Sequence, residues 1–240
     1  MTGPGPLALV GGGEFRPGNE AQDRVLAEAA GEGPSFVLAT AAARQGPDLA
    51  VQNAREWFAR LGLEVTELPA IRRADVRSSE NANRARAGRF FYLVGGDPGL
   101  VPKTLAGTPV WEAIVEAWLA GAALGGSSAG AMALGEWTLV RERFPGDRNR
   151  RFTPALRLLP RVAVVPHFDT FGKRWVGGAL AGLPDNDAIL LGIDERTAAI
   201  WRRRAWRTLG PGGVTVFTGE SGERFEAGNR ISGLPHPLLH

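Results

Sequence analysis

Ser128 has the surroundings of a nucleophile. It lies in the run Gly125-Gly126-Ser127-Ser128-Ala129-Gly130-Ala131, with one glycine two residues before it and another two after. The apolar stretch Ala122-Ala123-Leu124 leads in, and residues compatible with a helix lead out. Such a strand-to-helix corner strains the central residue and lifts its hydroxyl clear of the sheet, while the glycines let the chain bend and its neighbours close in. Ser127 fits the spacing less well, because Ala129 rather than glycine stands two residues after it. Small-residue turns are also common in a chain with 33 glycines, so the corner alone does not define a nucleophile. A reactive serine needs a base, usually histidine, held in the right tautomer by a carboxylate. Of the three histidines, His236 and His240 fall in a Pro-rich terminal segment, poor ground for a rigid catalytic group. His167, in Val164-Val165-Pro166-His167-Phe168-Asp169, directly follows an apolar strand. The favoured carboxylate is Glu195, in Gly192-Ile193-Asp194-Glu195-Arg196-Thr197-Ala198, with Asp194, Asp169 and Glu136 as competitors. The plainer alternatives are a structural histidine and solvated surface acids.

The elements that must position these groups alternate. Strands are expected at Leu7 to Val10, Ser35 to Thr40, Glu64 to Leu68, Phe90 to Val94 and Ala122 to Leu124. Helices are expected at Ala21 to Ala30, at Asp48 to Leu61 with Asp48 as its cap, and at Val110 to Trp118. Near-continuous apolar strands between helices indicate an α/β fold, a mainly parallel sheet covered by helices on both faces. Later runs (Arg161 to Val165, Ala188 to Leu191, Ala198 to Trp201, Trp206 to Leu209, Val214 to Phe217) are closely spaced with Gly-Pro-Gly-Gly between the last two, which suits a short antiparallel extension near the C-terminus. With no repeat and no low-complexity linker, residues 1–240 read as one domain, with 219–240 expected as a loosely held tail. Ligands of open parallel sheets sit at the carboxyl ends of the strands. Three glycine-rich turns lie there: Gly11 to Glu14, Gly95 to Asp97, and the serine corner. The first lacks the third glycine of a dinucleotide fingerprint and carries Glu14 where a pyrophosphate would sit, so a dinucleotide site is disfavoured.

Composition narrows the field. With 44% hydrophobic and 22% charged residues the chain reads as an ordinary globular protein. All but two of its 28 basic residues, Lys103 and Lys173, are arginine, but they are dispersed among acids and the net charge is only +3. Nucleic acid is therefore not an expected partner. Arg148-Asn149-Arg150-Arg151 and Arg202-Arg203-Arg204 are the candidate local anion sites. The lack of cysteine removes disulfides, thiolate zinc sites and cysteine nucleophiles. No apolar run is long enough for a bilayer and no leader pattern precedes Leu7, so a cytoplasmic protein without membrane partners is expected.

Taken together, the motifs resemble peptidase family S51, the serine peptidases that include aspartyl dipeptidase (peptidase E) and cyanophycinase. The resemblance rests on Leu9-Val10-Gly11-Gly12-Gly13-Glu14, Val94-Gly95-Gly96-Asp97, Gly126 to Ala131, Pro166-His167-Phe168 and Gly192 to Ala198, in that order, and extends to about Phe217. It implies a class I glutamine amidotransferase-like fold with a flavodoxin-like core and no metal or cofactor. It further implies Ser128 as nucleophile, His167 as base and then acid, and Glu195 as the orienting acid, with the N–H groups of Gly96 and Ala129 as oxyanion donors. Two departures stand out: Val165-Pro166 replaces the Asp-Gln that precedes the cyanophycinase histidine, and Arg143 stands near the place of a peptidase E aspartate.

The expected function is a serine dipeptidase or exopeptidase acting on short peptides with an N-terminal Asp or similar acidic residue. A buried acidic side chain needs a paired cation. Lys173 and Arg174 are the expected substrate-binding cations with Asp97 beside them, and Arg143, Arg148, Arg150 and Arg151 are further candidates. The alternatives are a cyanophycinase-like hydrolase of β-aspartyl peptides and a catalytically silent small-molecule binding protein. Seven tryptophans, more than a small core needs, suggest a homodimer.

Overall fold

Strands too apolar to face water on either side must be covered twice, and that requirement organises the chain. The computed structural model describes residues 3–141, 150–185, 187–219 and 221–237. Strands β1 (Leu7–Val10), β2 (Ser35–Leu38), β4 (Phe90–Leu93) and β5 (Ala123–Ser127) are buried along their whole length. With the short edge strand β3 (Thr66–Glu67) they form a parallel array in the spatial order β1-β5-β4-β2-β3. Side chains alternate between its faces. Ala8, Val10, Val37, Phe90 and Tyr92 meet Leu26 of α1 (Glu20–Ala30) and Val51, Trp57 and Phe58 of α2 (Pro47–Arg60). Leu7, Leu9, Phe91 and Leu93 face the other way. There they meet Ala85 of α3 (Ser79–Ala87), Leu105 of α4 (Leu100–Leu105) and Ile114 and Trp118 of α5 (Pro109–Leu119).

The same core runs on into a second sheet, which a single-sheet reading did not anticipate. After α6 (Ala129–Leu134), the strands β6 (Trp137–Arg141), β7 (Arg150–Pro154), β8 (Val162–Val165), β9 (Ile189–Ile193), β12 (Gly213–Thr218) and β13 (Ser221–Glu226) pair in the order β13-β12-β9-β8-β6-β7. Its centre, β6-β8-β9, is parallel, while β7 and the β12–β13 hairpin are antiparallel additions. Helix α7 (Lys173–Ala181) fills the crossover between β8 and β9. The first sheet grows antiparallel beyond β1 through β10 (Ala198–Arg202), β11 (Ala205–Leu209) and β14 (Arg230–Ile231). The α/β class and the parallel centre hold, but the antiparallel part is larger than expected.

Three further differences have local causes. The segment 219–240, expected as a loose tail, supplies β13 and β14. Phe225 and Ile231 are buried, and Trp206 Nε1 donates to the Pro235 carbonyl at 2.8 Å. One apolar side chain per charged turn is enough to dock a strand onto an existing sheet edge, and composition averages that signal away. Arg203 and Arg204 form the two-residue turn between β10 and β11 at φ 51° and 61°, a geometry usually signalled by Asn and Gly. Helix α2 starts at Pro47 after Gly46 at φ 95°, so the Pro and Gly set its start and Asp48 caps nothing. Six of the tryptophans (57, 111, 118, 137, 201 and 206) are buried within the chain's own core, so their number requires no second subunit.

Candidate active site

The strand-to-helix corner is as sharp as its residues permit. β5 ends at Ser127, α6 begins at Ala129, and Ser128 between them has φ 48° and ψ −112°. Non-glycine residues in such regions carry roughly 1–3 kcal/mol of strain, which only a well-determined surrounding can hold. Gly126 is needed because a Cβ there would lie 2.6 Å from the Gly130 carbonyl carbon, and a Cβ on Gly130 would strike the Leu93 carbonyl. The Ser128 N–H is tied to the Val10 carbonyl at 2.9 Å. The two serines part company here: Ser127 is fully buried and donates to Glu14 Oε2 at 2.8 Å, while Ser128 Oγ meets His167 Nε2 at 3.0 Å.

His167 stands just past β8 in left-handed conformation, with φ 51° and ψ 40°. Its N–H donates to the Gly11 carbonyl at 2.6 Å, and its own carbonyl accepts from the Gly172 N–H at 2.8 Å, so the turn folds around it. The ring lies between Gly12, where a Cβ would fall 2.6 Å from Nε2, and Phe171, stacked at 4.7 Å and 21°. Nδ1 lies 2.6 Å from Glu195 Oε1. A carboxylate there requires a proton on Nδ1, leaving Nε2 as acceptor for the Ser128 hydroxyl. Serine, imidazole and carboxylate thus form one hydrogen-bonded line.

The rival acids have other partners. Asp169 Oδ1 accepts the Glu195 N–H at 2.9 Å and so braces its backbone. Asp194 is buried and turned away; its Oδ2 accepts from the Gly213 N–H at 2.9 Å and from Arg224 Nη2 at 2.6 Å. Glu136 caps the Arg161 N–H. His236 accepts from Trp201 Nε1, remote in sequence and fold from the serine corner.

Two adjoining clefts open over this line. One, about 410 Å³, is bordered by Ser128, His167, Gly95 and Gly96 on one side and by Gln45 and Leu49 on the other. The second, about 620 Å³, runs from His167 and Glu195 past Phe15 and Trp57 to Arg16, Glu56 and Arg60. Glu14, Ala50 and Asn53 border both. Among the described residues, the N–H groups of Gly96 and Ala129 have no protein acceptor. Beneath the larger cleft, burial pushes the Asp23 carboxyl from its ordinary 3.8 up to about 8, against the bond from Trp57 Nε1 and with help from the charge of Glu14.

The residues expected to bind substrate are not brought here. Lys173 and Arg174 are exposed at the start of α7, with Lys173 5.5 Å above the Phe168 ring, and neither lines a cleft. Asp97 accepts from the Gly99 N–H and lies 3.9 Å from Arg44. Arg150 sits 3.7 Å over the Trp175 ring, Arg151 is exposed on β7, and Arg143 and Arg148 lie outside the described residues. The groups that sequence reasoning missed are Glu14, Asn53, Arg16 and Arg60. Glu14 did have a signal, since it closes a glycine turn at a carboxyl strand end, but that turn argues against a dinucleotide and carries the family resemblance without giving Glu14 a role of its own. Asn53 and Arg60 look like any solvated face of α2. Among the described residues no helix is long and apolar enough to cross a membrane.

The chain is similar to known proteins along most of its length. A cyanophycinase from Trichormus variabilis is 29% identical over 217 residues, covering 88% of this chain and 72% of its own length. A cyanophycinase from Synechococcus elongatus is 28% identical over 220 residues, again 88% of this chain and 67% of the relative. The crystal structure of a peptidase from an acI-B1 actinobacterium superposes with a TM-score of 0.82 at 33% identity, over 96% of this chain and 98% of that one. The model of Peptidase family S51 matches residues 7–205, from the first strand through the serine corner, His167 and Glu195 to the β10–β11 turn. The chain belongs to peptidase family S51 and is a serine peptidase.

Proposed function

We propose that the protein is an exopeptidase that removes an N-terminal Asp, or a similar acidic residue, from dipeptides and other short peptides. The observation that carries this reading is the line from Ser128 through His167 to Glu195, opening onto a cleft whose cations are Arg16 and Arg60. His167 Nε2 takes the hydroxyl proton as Ser128 Oγ attacks the scissile carbonyl carbon. The negative oxygen of the tetrahedral intermediate is received by the N–H groups of Gly96 and Ala129, fixed donors that need no reorganisation. The imidazolium, stabilised by Glu195, returns its proton to the leaving amine, and an acyl-enzyme remains on Ser128. Water then repeats the sequence with His167 again as base. An acidic first side chain would be paired by Arg16 or Arg60 rather than by the lysine and arginine of α7. The cyanophycinase relatives favour a second reading, in which the bond cut is a β-aspartyl one.

Purified protein is assayed on Asp-X, β-Asp-X and Leu-X dipeptides. The proposal expects Asp-X to be cleaved at least tenfold faster than Leu-X, the discrimination that a single paired charge provides. Equal rates contradict the acidic preference, and faster cleavage of β-Asp-X selects the second reading.

A further inference from the structure

Glu14 is the carboxylate nearest the serine corner that the proposed chemistry leaves unused. Its Oε1 accepts from the Gly95 N–H at 2.9 Å and its Oε2 from Ser127 Oγ at 2.8 Å, both neutral donors. Among the described residues no basic side chain pairs with it. It is half-buried and borders both clefts, and one point above Gly95, the position a Cβ would take, lies 2.6 Å from Glu14 Oε1 and 3.3 Å from Ser128 Cβ. Each of its oxygens accepts one hydrogen bond and still has a free lone pair that can take an N–H from a ligand.

We propose that Glu14 binds the free α-ammonium of the substrate and so confines cleavage to the first peptide bond. The inference rests on the reading of Ser128 as nucleophile toward short peptides. Covalent geometry supplies the reach. In an N-terminal residue the ammonium nitrogen is only about 2.5 Å from the carbonyl carbon under attack, so a carboxylate beside the nucleophile is where that charge arrives. The other acids are less suited. Glu195 is engaged by His167, Glu56 borders only the far limb, and Asp97 lies outside both clefts. Asp23, neutral at pH 7 because burial raises its carboxyl, is bonded to Trp57 below the floor. With the ammonium at Glu14, an acidic side chain extends toward Arg16 and Arg60, and the leaving residue lies along Gln45 and Leu49. An interior residue of a longer peptide brings no ammonium to that place.

The test compares Asp-X with succinyl-X, which lacks only the amino group, on the wild-type protein and on Glu14→Gln. Wild type is expected to favour Asp-X by about 100-fold in kcat/KM, the size of a close charge pair, and Glu14→Gln to bring the ratio near unity even if both rates drop. A merely structural Glu14 would lower both rates together and leave the ratio where it was; that result overturns the proposal. So does a wild-type ratio near unity, which needs no variant to fold. Leu-X against isocaproyl-X separates this inference from the acidic preference. Equal rates on Asp-X and Leu-X with the amine still required sink only the preference, and indifference to the amine sinks only the anchor. No cleavage of any of these substrates overturns both.

Discussion

His167 is held from four directions: Gly12 and Phe171 on its faces, Glu195 at Nδ1 and Ser128 at Nε2. The carboxylate sets which nitrogen carries the proton, so Glu195→Gln, which can present an amide N–H to Nδ1, favours the wrong tautomer. The variant is expected to lose roughly 10³–10⁴-fold in kcat with little change in KM, measured by steady-state kinetics. Near-normal turnover would shift the acid role elsewhere. Strain at Ser128 gives a second expectation. Ser128→Gly and Ser128→Ala both remove the hydroxyl, but only glycine accepts φ 48° freely, so the glycine variant should unfold at the higher temperature, by about 1 kcal/mol in stability. Asp23 gives a third. Its folded pKa of about 8 lies above the unfolded 3.8, so the folded chain binds the extra proton, and that contribution to stability is full below pH 4 and lost as pH rises toward 8. Asp23→Asn mimics the protonated acid, so its advantage in Tm over wild type should grow from pH 4 to 8 and then level off. A pH-independent difference would contradict the assignment.

At the scale of elements, the site is a meeting of carboxyl strand ends: β1 brings Gly11 to Glu14, β4 brings Gly95 and Gly96, β5 brings Ser128, β8 brings His167 and β9 brings Glu195. Ser128 and His167 are legible in the sequence because each stands at the end of a buried strand, where an apolar run gives way to polar residues; the same mark falls on Asp194 as much as on Glu195, and only the family motif separates them. Residues on helix faces leave no such mark. Arg60 occupies the last turn of α2 and reads as an ordinary solvated charge until the fold sets it on the border of the cleft that Glu14 also lines. Backbone crossings are equally silent beyond the presence of glycine. Gly126→Ala would press a methyl on the Gly130 backbone, with an expected cost of about 1–3 kcal/mol by chemical denaturation, along with reduced turnover as the corner shifts. Strands also show themselves unevenly. β4 and β8 are continuous apolar runs, whereas β7 has no buried residue and β13 is mostly exposed, and both depend on neighbours that no local window contains.

Across the whole molecule, the C-terminal hairpin reaches back to the catalytic line. Arg224 of β13 bonds to buried Asp194, the residue before Glu195, and these carboxylate contacts push the guanidinium pKa further up. Arg224 lies beyond residue 205, where the family match ends, and its ion pair with Asp194 joins that part of the chain to the strand end that carries Glu195. Arg224→Met leaves Asp194 with the Gly213 N–H alone. The expected loss is about 1–3 kcal/mol, moderated by the partial exposure of Arg224, and Asp194→Asn in the same chain should restore most of it. An unchanged unfolding midpoint in Arg224→Met would show that solvent already satisfies Asp194.

The central claim is tested most directly by treating the protein with a fluorophosphonate and locating the adduct by mass spectrometry. One adduct per chain is expected, on Ser128, lost in Ser128→Ala and formed far more slowly in His167→Ala. An unlabelled wild-type protein, or an adduct that persists in Ser128→Ala, would contradict it.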